Sequence, residues 1–149
     1  LKAEELGLSN TKFLNEDGLD TEDGLPGAYG SAKDMATLFE YILKNYPEIF
    51  ETTKLSSASF TSLSGLSHEA KNTNIDVDEV PGIIASKTGT TPLAGGNLVV
   101  ALDLEPGRPI IFVILGSTEW ERESDLEKLL ETALGYFASE AKIIHAKSS

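Results

Sequence analysis

From Ala32 to Tyr46 apolar side chains return every third or fourth position, with Met35, Ala36, Phe39, Ile42 and Leu43 between those two. That period lays one apolar stripe along a helix, so an amphipathic helix is predicted here. Ser31 suits its N-cap, Asp34 sits favourably against the helix dipole, and Pro47 ends it. The second half of the chain changes period. Ile83–Thr90, Asn97–Leu104 and Pro109–Gly116 are short apolar runs of strand length, with Glu105-Pro106-Gly107-Arg108 between the last two. Proline then glycine suits the central positions of a type II turn, which predicts an antiparallel hairpin. Leu98–Leu102 and Ile110–Leu115 are apolar on both faces, so helices are expected above and below the sheet. One cover is visible: Leu126, Leu129, Leu130, Ala133, Leu134 and Phe137 form a stripe within a helix predicted from about Thr118 to Glu140. The tail from Lys142 to Ser149 is expected to fray.

The first half is less regular. Residues 1–8 read as the last turn of a helix stopped at Gly7. Ser9 to Tyr29 is rich in Asn, Asp, Gly and Pro, which predicts a long ordered loop of the kind that often carries function. Residues 56–72 alternate weakly around Ser64-Gly65, the pattern of a polar hairpin. Together the elements predict an α/β protein in the broad sense, α+β in arrangement, with an antiparallel sheet covered by helices.

Composition narrows the function classes. At 149 residues and 40% hydrophobic content the chain fits one domain. A formal net charge of -12 excludes a phosphate-tracking nucleic-acid binder, which needs a basic stripe, and disfavours adhesion to anionic lipid. Cysteine is absent, which removes disulfides and thiol chemistry. His68 and His145 are the only histidines and neither has a partner at ligand spacing, so no metal site and no cofactor are expected. No apolar run approaches the ~18 residues of a membrane span. The chain opens at Leu1 rather than Met, and we expect a segment whose upstream part, including any targeting sequence, lies outside it.

One motif carries chemistry. Lys87-Thr88-Gly89-Thr90-Thr91 closes an apolar strand and is followed by Ala94-Gly95-Gly96-Asn97. The edge of such a strand can pair with an extended peptide through main-chain hydrogen bonds. Gly89 would let that peptide approach closely, while a lysine ammonium and threonine hydroxyls face an anionic group or a developing oxyanion. By itself the tripeptide fits better a surface lysine beside a strand-ending glycine.

The wider context resembles the serine D-alanyl-D-alanine carboxypeptidases of the penicillin-binding type. Asn10 to Leu19 is similar to the asparagine-rich segment that these enzymes carry after their second catalytic motif. Tyr29-Gly30-Ser31-Ala32-Lys33-Asp34-Met35-Ala36 looks like the helix start that follows it. Asn72-Thr73-Asn74, Lys87 to Val99, Leu115-Gly116 and Arg122-Glu123 fall in the family's order, so the resemblance runs from about residue 2 to residue 137. It implies a partial penicillin-binding/β-lactamase-like fold, with residues 1–82 as helical-subdomain remnant and loops and 83–140 as three sheet strands and the C-terminal helix. It also implies hydrolysis of the terminal D-alanine of peptidoglycan stem peptides through an acyl-serine, and acylation by β-lactam antibiotics. Lys87 would then support the serine–lysine cluster, and the Thr90 N–H would form half of the oxyanion hole. Thr88, with Gly89 leaving room, and Arg122 would hold the substrate's terminal carboxylate. Arg122 fits equally a helix-surface arginine paired with Glu119 or Glu123.

The sequence departs from the family at its centre. Ser-x-Asn occurs nowhere, and Ser-x-x-Lys occurs only as Ser9–Lys12, inside the loop segment, and Ser139–Lys142, beyond the lysine motif. Both are in the wrong place for the nucleophile, which the family carries on a buried helix upstream. The expectation is a segment that supplies Lys-Thr-Gly, is inactive alone, and requires an N-terminal segment bearing Ser-x-x-Lys and Ser-x-Asn. The Ile110–Leu115 strand would pair with the family's first strand, and without it self-association through that edge is expected. An extracytoplasmic location follows from the family's substrate alone. A non-catalytic module that binds peptidoglycan or a protein on the same fold is the alternative.

Overall fold

The structure, a computed structural model, describes residues 2–104 and 107–147, with side chains through residue 139. A short helix α1 (Lys2–Glu5) ends at Gly7, whose φ of 69° closes the turn while its N–H donates to the Glu4 carbonyl. The loop that follows is held by a two-residue ladder, β1 (Lys12–Phe13) with β2 (Ala28–Tyr29). Helix α2 (Ala32–Asn45) starts as predicted, with Ser31 Oγ accepting from the Asp34 N–H at 3.1 Å. Pro47 ends it by opening a short 3-10 helix, Pro47–Phe50. The polar hairpin forms as β3 (Ser57–Thr61) and β4 (Ser67–Lys71), and a second 3-10 helix spans Ile75–Val77.

Strands β5 (Ile83–Thr91), β6 (Gly95–Leu102) and β7 (Ile110–Ser117) build one antiparallel sheet in that order. Both of its faces are covered, as their apolar character requires. On one face Leu98, Val100, Leu102, Phe112 and Ile114 pack against Leu126 of α3 (Arg122–Lys147), with Leu130 and Ala133 alongside. On the other, Ala85 and Ala101 pack against Phe39 of α2 and Phe50, whose rings lie 4.3 Å apart.

Three details differ from the sequence reading. The regular part of helix α3 starts at Arg122, four residues after the predicted start, and Thr118 caps the turn before it: its hydroxyl accepts from the Glu121 N–H at 3.1 Å and its carbonyl from the Arg122 N–H at 3.2 Å. The tail expected to fray from Lys142 is helical in its backbone through Lys147; residues 138–147 hold alanine, glutamate and lysine and no glycine or proline. The predicted stripe on α3 is only partly used. Leu126 is buried, whereas Leu129, Leu134 and Phe137 are exposed, since a three-stranded sheet is narrower than the stripe. Glu105 and Pro106 of the predicted turn lie outside the described residues.

Candidate active-site strand

Among the described residues β5 is an edge strand, paired with β6 on one side only. Its first half is drawn into the core: Ala85 and Ser86 are buried, and Ser86 is tied to Thr53, in the turn after the first 3-10 helix, by Ser86 Oγ donating to the Thr53 carbonyl (2.9 Å) and the Ser86 N–H donating to Thr53 Oγ1 (3.1 Å). From Lys87 onward the strand emerges. Lys87, Gly89 and Thr90 are exposed and Thr88 is half-buried. A Cβ built on Gly89 would meet no atom within 4 Å, so the space over the strand is open. The Lys87 ammonium donates to the Thr88 carbonyl.

Arg122 reaches this strand from the other end of the chain. It is only 4% exposed and donates from Nη1 to Thr90 Oγ1 (3.2 Å), from Nη2 to the Thr73 carbonyl (3.1 Å) and from Nε to Glu123 Oε1 (3.1 Å). It pairs with Glu123, as one sequence alternative has it, but it is buried rather than on the helix surface and is bonded to the motif strand. Thr73 is the hub of the cluster, for its hydroxyl also bonds the Thr88 hydroxyl. The segment carrying it is anchored by Asn72, whose Nδ2 donates to the carbonyls of Thr53 and Leu55 at 2.9 Å each. Of the five residues named from sequence, Thr88, Thr90 and Arg122 lie in one bonded cluster with Thr73, and Lys87 and Gly89 flank Thr88 on the same strand.

Asp76 and Asp20 were not singled out from sequence, and Asn74 and Asp34 were named there without their long-range contacts or burial. Asn74 and Asp76 are buried beneath this segment, and Asn74 Nδ2 and Asp76 Oδ2 have no partner among the described residues. Burial, reinforced by Glu123, Glu79 and Glu127 and opposed by Arg122, pushes the Asp76 carboxyl up to about 6. Asp20, in the long loop, accepts from Thr91 Oγ1 (3.1 Å) and from the Leu93 N–H (3.0 Å), which fixes the loop over the end of β5. Asp34 does more than face a dipole. It is buried and accepts from the Asn10 N–H and Thr11 Oγ1, pinning the start of the same loop. No local pattern announces such long-range acceptors.

Neither Ser-x-x-Lys tetrad meets the cluster. Ser9 is exposed in the turn after α1, and Ser139 Oγ donates to the Tyr136 carbonyl on α3. His68 is exposed on β4 and stacks on Phe60. Among the described residues no group of acidic or histidine side chains could hold a metal ion, and no helix is long and apolar enough to cross a membrane.

A model of the D-alanyl-D-alanine carboxypeptidase family matches residues 1–119. The chain belongs to that family. Carboxypeptidase DacC of Escherichia coli K12 is 32% identical over 137 residues, which are 91% of this chain and 32% of that protein. Penicillin-binding protein D2 from Listeria monocytogenes, in a cefotaxime-bound form, has a TM-score of 0.73 at 30% identity, over 87% of this chain and 51% of that one. The Streptomyces K15 DD-transpeptidase has 0.74 at 28% identity, over 90% and 51%. The fold is therefore that of the penicillin-binding DD-peptidases, and the chain spans about a third of the length of its curated relatives and about half that of the solved structures.

Proposed function

We propose that this chain is the C-terminal part of the catalytic domain of a serine D-Ala-D-Ala carboxypeptidase that acts on peptidoglycan stem peptides and is acylated by β-lactams. Residues 1–82 contribute helical-subdomain and loop structure, and residues 83–140 contribute three sheet strands and the C-terminal helix. The nucleophile belongs to a segment upstream of Leu1. In the reaction its serine Oγ attacks the carbonyl of the penultimate D-alanine and gives its proton to the neighbouring lysine. The C–N bond breaks, D-alanine leaves with a proton, and water then hydrolyses the acyl-serine ester. An incoming amine in place of that water would give peptide transfer.

This chain's share is electrostatic. The Thr90 N–H stabilises the oxyanion, and Lys87 supports the serine–lysine cluster. Thr88, backed by Thr73 and Arg122, receives the terminal carboxylate beside the open space over Gly89. The observation that carries the reading is the convergence of Arg122, Thr73, Thr88 and Thr90 on the exposed half of an edge strand. An extracytoplasmic location follows from the substrate.

A fluorescent penicillin tests this directly. The isolated chain is expected to remain unlabelled, and a chain extended upstream to include Ser-x-x-Lys and Ser-x-Asn is expected to be labelled. In that extended protein Lys87→Ala should slow acylation by about 10²-fold or more, the scale of losing one oxyanion donor. Labelling of the isolated chain would make Ser9 or Ser139 a nucleophile. Absence of both motifs from the upstream sequence would favour a non-catalytic peptidoglycan-binding module.

A further inference from the structure

A groove of about 310 Å³ opens between the β3–β4 hairpin and the first exposed residues of β5. Its apolar wall is Leu55, Ala58, Phe60 and Ala70, and its floor reaches Thr73, Lys87 and Thr88. The chain has 24 acidic residues against 12 basic ones, yet none of the groove's lining residues is acidic and two are lysines, Lys71 and Lys87. Lys71, the last residue of β4, is exposed and has no hydrogen-bond or ion-pair partner among the described residues. Hydroxyls of Ser57, Thr73 and Thr88 add donors along the same lining. Cations, hydroxyls and an apolar wall together fit an anionic peptide segment.

The direction of the substrate decides which segment. On the carboxypeptidase reading, on which this inference rests, the scissile carbonyl lies at Thr90 and the terminal carboxylate at Thr88. Moving from Thr90 through Thr88 to Lys87 therefore runs toward the substrate's C-terminal end, and the groove continues past it. A leaving group of free D-alanine ends at the carboxylate and leaves that space unused. We propose that the groove between the hairpin and β5 binds the residue on the leaving side of the scissile bond when that residue carries a second carboxylate, with Lys71 as its counter-charge. The protein is thereby suited to D-alanyl bonds whose amine side is an anionic amino acid or peptide, as well as to a terminal D-alanine.

The test is an NMR titration of the ¹⁵N-labelled chain with two peptides, acetyl-Lys(acetyl)-D-Ala-D-Ala and acetyl-Lys(acetyl)-D-Ala-D-Glu. Both are expected to shift Lys87 to Thr90. The second is expected to shift Ala70 and Lys71 as well and to bind about two- to fivefold more tightly, the range that an exposed ammonium–carboxylate pair supports. Lys71→Ala should erase that advantage, Lys71→Glu should reverse it, and Lys71→Arg should keep it, with binding of the D-Ala-D-Ala peptide unchanged throughout. Equal binding of both peptides, indifferent to Lys71, overturns the inference and leaves the carboxypeptidase reading standing. Failure of both to shift Lys87 to Thr90 also overturns the inference, while penicillin labelling of the chain extended upstream decides the carboxypeptidase reading separately.

Discussion

Arg122 and Thr90 stand 32 positions apart, yet the arginine's Nη1 meets the threonine's Oγ1 at 3.2 Å. The bond joins the first residue of α3 to the exposed half of β5, and the same guanidinium holds the Thr73 carbonyl. A lysine has one nitrogen where this arginine uses three, so Arg122→Lys keeps the charge and loses the fork. It should cost about 1–3 kcal/mol of stability in urea unfolding. Arg122→Ala should cost more, about 3–5 kcal/mol, because Glu123 is left largely buried and unpaired. Both variants should move the amide resonances of Thr73 and Thr90. Unchanged stability and spectra would mean that the buried arginine is not engaged in solution.

What lets α3 start where it does is Gly96. A Cβ at this position would lie 2.2 Å from the Thr118 carbonyl oxygen, and that oxygen accepts the Arg122 N–H at 3.2 Å. The contact is to backbone, which cannot swing aside. Gly96→Ala should therefore shift the start of α3 and destabilise the chain by about 2 kcal/mol or more, as overpacking does. The Arg122 side-chain resonances should shift with it. A variant as stable as the parent, with Arg122 undisturbed, would show that the two segments are further apart than 2.2 Å implies.

Asp76 gives a pH signature. Its carboxyl is pushed up to about 6 by burial and by Glu123, Glu79 and Glu127, against an ordinary value of 3.8. Between those values the native state binds more protons at this site than the unfolded state, so this group's contribution to stability falls as pH rises. The loss begins near pH 4 and is complete above about 6. Asp76→Asn removes the charge and should raise stability at pH 7 by about 1–2 kcal/mol after allowance for solvent screening. The advantage should be smaller at pH 5. Thermal melts of the two proteins across pH 5–8 give the comparison, and a constant gap would mean that Asp76 does not titrate in this range.

The elements were legible wherever one residue period dominated. Helix α2, with its Ser31 cap, and the three sheet strands came out within a few residues of their predicted bounds, because local capping and two-sided apolarity decide them. Gly7 and Ser64-Gly65 likewise announced their turns. The candidate strand was named from sequence, and its Lys87–Thr90 stretch emerges at the sheet edge. The contacts and burial that support it were not legible. Thr73, Asp76, Asp20 and Asp34 act through partners 15 to 73 positions away or through burial, and nothing in an isolated aspartate tells a buried acceptor from a solvated one.

The unfilled side of the fold makes the last prediction. Among the described residues β7 pairs with β6 alone, which leaves its other edge without a partner strand along an eight-residue strand that contains neither charge nor proline. Beside it a largely apolar hollow of about 490 Å³ is lined by Leu104, Pro109, Ile110, Leu134 and Phe137 together with Arg108, and Leu134 and Phe137 belong to the exposed part of the α3 stripe. An edge with these features templates another strand. Two copies joined β7 to β7 in antiparallel fashion would form one six-stranded sheet about a two-fold axis normal to it. That axis sets both α3 helices on the same face, where Leu134 and Phe137 of each could cover the other's hollow. The 149-residue chain is therefore expected to associate with rising concentration in sedimentation equilibrium. Leu134→Glu with Phe137→Glu, both at exposed positions, should shift it to monomer without unfolding it. An upstream segment that adds a strand to β7 should do the same, by occupying the edge. A monomer throughout the micromolar to millimolar range would show that this edge is protected in solution.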